Sequence, residues 1–343
     1  MKKLNKILLV ACFLLMPLYD LEAATLSLDS SASEYGLGDQ IGVDIRLNLD
    51  QDEECINTGE IGVTFDNTIL EALDFSTGES IFSLWIDRPA SEAFANINAE
   101  QVVKFSGGVP GGYCGKVPGD QGVSNSLGRI IFKVIGTDQQ LAKLPVTRLA
   151  FDNSSKILQN NGLGSEAKLK LTDLSLVIKP KLVKQNTDWD QVKTTDYLAP
   201  EEFTIELLKD PALYNGQYYL MFNTVDKQSG LDHYEVSEQR VITSVYQKIY
   251  DGLLSVLPGR EQKNANWQVV TPPYVLKDQK LNSTIRVKAV DKAGNQYVVE
   301  RAPQAWFSRQ EIIVSIVVFV VLLFIIALLV LRIQKKLNSK GKI

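Results

Sequence analysis

The stretch "IGVDIRLNL" limits what this chain can fold into. Its apolar side chains Ile41, Val43, Ile45, Leu47 and Leu49 recur at every second residue. A period of two puts all five on one side of a pleated strand, and a helix would scatter them. The alternation returns in "TLSLD" from Thr25, in "IGVTF" (Ile61, Val63, Phe65) and in "VVKFS" (Val103, Phe105). It continues in "IIFKV" (Ile130, Phe132, Val134) and "LKLTDLSLVI", with Gly, Asn, Asp and Pro between the runs. Short alternating runs divided by turn residues predict a β-sandwich or barrel. Within them, "KFSGGVPGGYCGKVPG" (Lys104–Gly119) carries six glycines and two prolines. It lies between two strand-like runs, no helix follows, and no Lys-Ser/Thr pair ends it, so a phosphate cradle is excluded. The stretch predicts a bulged strand end and a surface loop.

Both ends of the chain are apolar. Residues 1–23, "MKKLNKILLVACFLLMPLYDLEA", place Lys2, Lys3 and Lys6 before a short apolar run, as a secretory signal peptide does. A rival reading of "LVAC" as a lipobox would put a lipid on Cys12. Ile312–Leu331 is an uncharged run whose length matches a roughly 30 Å hydrocarbon layer. Trp306 and Phe307 precede it as interfacial anchors, and Arg332, Lys335, Lys336, Lys340 and Lys342 follow it. The positive-inside rule predicts a single-pass protein of the cell membrane, its N-terminal ectodomain outside and its short basic tail (333–343) in the cytoplasm.

Charge and cysteines follow from that division. Taking the +1 of residues 1–23 and the +5 of residues 309–343 from the chain's −4 leaves −10 between them. An acidic ectodomain is expected to bind no nucleic acid, whose phosphates need a basic footprint. Removal of Cys12 leaves Cys55 and Cys114, for which one disulfide is expected in an oxidising compartment and two free thiols are the alternative.

The segments "LSLDSSASEYGLGDQIGVDIRLNLD", "GVTFDNTILEALDFSTGES", "VVKFSGGVPGG" and "LGRIIFKVIG" occur in this order. Together they resemble a cohesin module, the nine-stranded jelly-roll β-sandwich of cellulosome scaffolds, related in fold to carbohydrate-binding modules. The resemblance covers residues 24–180. Residues 181–201 are polar and lack a sustained period, which predicts a linker. In residues 202–303, "YYLMFNTVDKQSGLDHYEVSE", "PPYVLKDQ" and "TIRVKAVDKAGNQYVVE" resemble an Ig or fibronectin III sandwich. There "DKQSG" and "DKAGN" read as turns, and the resemblance implies a central strand at Trp267. Val245, Ile249, Leu253 and Leu257 recur at helical spacing between these runs and predict a short helix or flap. The fold class is therefore all-β, two sandwiches with one C-terminal transmembrane helix (304–332 with its flanks).

The cohesin resemblance implies protein–protein binding, with a dockerin-like protein docked on one sheet. Mapped onto this chain, the partner-binding face comprises Thr58, Glu60, Lys104, Ser106, Arg129 and Ile131, which alternation turns away from Ile61, Phe105 and Ile130. A carbohydrate-binding surface protein, tied to polysaccharide attachment or breakdown, is the alternative. Phe82, Trp85 and Tyr113 would then stack on sugars. A passive adhesive stalk is a third reading. A row of exposed aromatic residues would favour glycans, and an aromatic-poor flat face would favour protein docking.

No enzymatic activity is expected. His233 is the lone histidine and stands near no nucleophile motif. One His and a cystine leave a His/Cys zinc site without ligands. "DQDEE" (Asp50–Glu54) lacks the spacing of a Ca²⁺ loop and reads as a solvated acidic loop. No cofactor or metal is expected on this chain; Ca²⁺ held by its dense acids is the alternative, and Ca²⁺ is expected on the partner in preference. No paired Ca²⁺-loop motif occurs here, so a dockerin would be another molecule.

Overall fold

The computed structural model describes residues 24–49, 55–115, 125–143, 145–180, 187–240, 266–303 and 309–340. The signal-peptide region, the Asp50–Glu54 acids, the Val245–Leu257 repeat and Trp306–Phe307 fall outside them. The chain divides into two compact units. The first comprises Met1–Glu201 with two later loops, Asn223–Asp232 and Asp291–Asn295; the second holds the rest.

The first unit is a sandwich of two sheets. One has five strands in the order β11 (Leu169–Thr172), β1 (Ala24–Ser30), β3 (Gln40–Leu49), β8 (Ser126–Val134) and β5 (Leu70–Ser76). The other runs β2 (Glu34–Gly36), β12 (Leu174–Lys179), β9 (Val146–Phe151), β4 (Ile56–Thr64), β7 (Val102–Tyr113) and β6 (Leu84–Asp87), with β10 (Lys156–Gln159) also on β4. That makes twelve strands among the described residues, where the resemblance implied nine. β2, β6 and β10 have three or four residues each, too few to register as alternation, and "LKLTDLSLVI" divides into two strands, β11 and β12.

Alternation does what the sequence requires. Ile41, Val43, Ile45 and Leu47 are fully buried on the inner side of β3, facing Ile61, Val63, Val103 and Phe105 of the opposing sheet. Each such burial contributes roughly 1.5–3 kcal/mol. An aromatic cluster of Phe75, Phe82, Trp85 and Phe105 fills one end, with ring centroids 4.7–6.2 Å apart. The end of β7 departs from regular pairing. Ile56 faces Tyr113 but Thr58 already faces Gly108, so Val109–Gly112 bulge out opposite Asn57 alone. Gly111 and Gly112 take φ of +87°, which L side chains disfavour. The Cys55–Cys114 disulfide closes the strand pair just beyond this bulge.

The segment expected as a linker is structured in part. Asp188–Thr195 form a helix against β3, with Trp189 buried and its indole N–H donating to Asp74 Oδ2 at 3.2 Å. Gln40 Nε2 donates to Asp190 Oδ2 at 2.9 Å. Trp189 supplies the apolar contact that an otherwise polar segment lacks.

The second unit has a three-stranded sheet, β13 (Glu206–Lys209), β14 (Tyr218–Met221) and β17 (Tyr274–Val275), and a four-stranded one. The latter runs β16 (Gln268–Val270), β15 (Leu231–Arg240), β18 (Ser283–Asp291) and β19 (Gln296–Arg301). Phe203, Phe222 and Tyr234 pack together in its core. Trp267 adjoins β16, which among the described residues is an edge strand where the resemblance implied a central one; its ring is covered by the Lys288 ammonium at 4.3 Å. A helix spans Arg309–Lys340, and its Ile316–Ile333 stretch, with mean hydropathy 3.4 and no burial, is long and apolar enough to cross a membrane.

Candidate docking face

Four of the six expected face residues come together and two do not. Thr58 and Glu60 lie on β4, Lys104 and Ser106 on its neighbour β7. Register places Lys156, Glu60, Ser106 and Asp87 in one row across β10, β4, β7 and β6. Successive outward positions of adjacent strands stand about 5 Å apart, so this row is a polar ladder of one cation, two carboxylates and a hydroxyl. Lys156 Nζ reaches Glu60 Oε2 at 3.0 Å, and Lys104 Nζ reaches Asp152 Oδ2 at 3.8 Å. The Ser154 hydroxyl, with help from Lys104, holds the Asp152 carboxyl below the usual carboxylate range. Glu60, Asp87, Lys104, Ser106 and Ser154 line one shallow concavity. The adjoining row pairs Leu84, Gly108, Thr58 and Leu158, with Leu84 exposed.

Arg129 and Ile131 belong elsewhere. Both are on β8, in the five-stranded sheet, so they cannot share a face with β4 and β7. Arg129 is committed to Asp44, opposite it on β3, through Nε–Oδ1 at 2.6 Å and Nη2–Oδ2 at 3.1 Å. That bidentate pair holds the guanidinium still more firmly protonated. Ile131 is fully buried, although its neighbours Ile130 and Phe132 take the inner side of the same strand.

The aromatic alternative is also corrected. Phe82 has no exposure and Tyr113 has 2%, and burial pushes the Tyr113 hydroxyl upward in pKa. Trp85 is half-buried against the core, edge-on to Phe75 and Phe82. Phe82 cannot turn outward because glycines make its seat. A Cβ on Gly107 would meet its ring at 2.6 Å and one on Gly59 at 2.9 Å, and these two glycines face each other across β4 and β7.

His233 is half-buried in β15, its Nε2 at 3.6 Å from Glu235 Oε1. A carboxylate group that the sequence did not single out lies in the first unit. Asp196, Asp226 and Asp291 are all buried and each offers an oxygen within 4.8 Å of the others. Burial pushes the Asp226 carboxyl upward, the Gly230 N–H opposes this, and Asp196 and Asp291 add to the rise. In sequence these three are 30 and 65 residues apart, and two of them read as the first residues of ordinary turns.

No protein-family model and no curated protein matches the sequence. Solved structures do. The chain is similar to the seventh ScaB type I cohesin of Pseudobacteroides cellulosolvens (17% identity, 48% of this chain and 99% of that one, TM-score 0.33). It is similar to the cohesin module of a Clostridium perfringens family 33 glycoside hydrolase (9% identity, 47% and 100%, TM-score 0.34). A third similar structure is the Coh-OlpA-Doc918 complex of Clostridium thermocellum, a type I cohesin–dockerin complex (13% identity, 45% and 99%, TM-score 0.31).

Proposed function

We propose that the first unit is a cohesin-type docking module for a dockerin-like protein, carried by a single-pass membrane protein with its ectodomain outside. The sequence resemblance over residues 24–180 is the starting point. The observation that carries the reading is the Lys156–Glu60–Ser106–Asp87 row: polar, of mixed charge and without an aromatic side chain. Sugar recognition by stacking needs exposed rings, and Phe82 and Tyr113 are enclosed. Charges at such a face act mainly on specificity and encounter rate, because opposed like charges reject wrong partners. The apolar Ile316–Ile333 segment and the basic residues Arg332, Lys335 and Lys336 after it support the anchor and its orientation. The protein is a binder and carries out no reaction of its own.

The test uses the full chain in detergent, immobilised and offered purified dockerins and, separately, insoluble polysaccharides. Capture of a dockerin is expected, weakened at least about tenfold by Glu60→Arg, which puts a cation beside Lys156 and Lys104. An unchanged melting temperature would show that the variant is folded. Retention on polysaccharide with no dockerin captured would overturn the proposal.

A further inference from the structure

We infer that Asp196, Asp226 and Asp291 form a Ca²⁺ site that ties together three distant segments of the first unit. Their exposures are 8%, 3% and 2%, and each contributes an oxygen within 4.8 Å of the other two. Three carboxylates enclosed this closely repel one another unless a cation or protons intervene. No lysine or arginine among the described residues makes an ion pair with any of them. The nearest cations in sequence are committed elsewhere: Lys292 to Asp74 (2.6 Å) and Asp232, and Lys227 to Glu201 (3.3 Å).

The local structure holds these carboxylates in place. Asp226 Oδ1 accepts N–H bonds from Gln228 and Gly230, at 3.1 and 2.7 Å. Asp291 Oδ1 does the same with Ala293 and Asn295, at 2.9 and 2.8 Å. Both "DKQSG" and "DKAGN" thus use the i+2 and i+4 amides to fix the first Asp. Asp196 is fixed by the N–H groups of Leu198 (3.1 Å) and Ser229 (3.0 Å). Among the described residues, none donates a hydrogen bond to Asp226 Oδ2.

An independent observation points to a ligand. Ser229 has no exposure, and its Oγ has no hydrogen-bond partner. The hydroxyl belongs to the residue whose N–H holds Asp196 Oδ2 at 3.0 Å, which keeps it within a few ångströms of that carboxylate. A buried hydroxyl without a partner costs about 1–3 kcal/mol, and native proteins seldom leave one so. A bound cation with its waters gives it one. The donors are all oxygen, without His or Cys, which suits a hard cation, and three carboxylates with further oxygens or waters meet the coordination demand of Ca²⁺.

The experiment uses the full chain in detergent, stripped with EDTA and dialysed, with no partner present. Calcium is added while heat of binding and thermal unfolding are followed. Wild type is expected to bind about one ion here and to melt at a higher temperature when loaded. Asp226→Asn and Asp291→Asn should each weaken that binding at least about tenfold and lose the rise in melting temperature. Without Ca²⁺, Asp226→Asn should melt no lower than wild type, because it removes one of three repelling charges, which establishes that the variant is folded. Should the Asp variants fail to fold, Ser229→Ala gives the reading, with a several-fold weakening expected. No calcium-dependent shift in wild type up to roughly 10 mM, beyond even the weaker extracellular sites, would overturn the inference. So would equal shifts in wild type and variants.

Discussion

Breaking the Cys55–Cys114 disulfide is expected to cost the first unit about 4 kcal/mol of stability. The bond closes a loop with a sequence separation of 59, and constraining a denatured chain over such a length gives about that value in the chain-entropy model. The native structure gives a second reason for a large effect. Beyond Gly108, β7 carries the Val109–Gly112 bulge, and pairing resumes only at Ile56 and Tyr113. Without the bond, that last pair depends on Asn160, whose N–H donates to the Cys55 carbonyl at 2.8 Å and whose Nδ2 donates to Gly111 O at 3.1 Å. For a domain of this size 4 kcal/mol corresponds to roughly 8–16 °C in melting temperature. Scanning Cys55→Ser/Cys114→Ser against wild type reads this directly. A shift under roughly 2 °C would mean that the bulge is held by its hydrogen bonds alone.

Gly107→Val is expected to cost about 3 kcal/mol, at the upper end for overpacking. The added Cβ would stand 2.6, 2.8 and 3.0 Å from Cδ2, Cγ and Cβ of Phe82, a fully buried side chain hemmed in by Trp85. The ring has no free side to move to, since Gly59 across the ladder approaches it as closely. Denaturant unfolding of Gly107→Val, Phe82→Leu and the double variant forms a cycle. The double variant should be more stable than the sum of the two single losses, because a smaller side chain admits the valine. Strict additivity would show that Phe82 does not determine the need for glycine there.

What could be read from the sequence followed from side-chain period. β1, β3 and β8 and the inner halves of β4 and β7 were legible because one face of each is buried and two is the only period that allows it. The cystine and the membrane-length helix were legible from composition and length. The docking face was legible only in half. Alternation tells which side of a strand faces the core, and says nothing of which sheet the strand joins, so Arg129 and Ile131 were grouped with Glu60 and Lys104. Ile131 departs from the expectation for a further reason: it is buried on the outer side of β8, which alternation alone assigns to solvent. The aromatic residues were illegible because Phe82 and Tyr113 look the same in sequence whether they face a sugar or a core. Asp226 and Asp291 satisfy local turn chemistry so completely that nothing in either pentapeptide suggests the other is near.

The helix Asp188–Thr195 has a practical consequence for dissecting this protein. Trp189 and its neighbours act as a lid supplied by the same chain, held on the outer side of β3 by the buried indole and by the Trp189–Asp74 and Gln40–Asp190 hydrogen bonds. A polypeptide trimmed at Pro180, where the alternating pattern ends, would lose that lid. It is expected to melt at a lower temperature than one extended through Glu201, because it loses the burial of Trp189 and the hydrogen bonds to Asp74 and Gln40. The first unit therefore runs beyond its last strand, through this helix and on to the later loops Asn223–Asp232 and Asp291–Asn295.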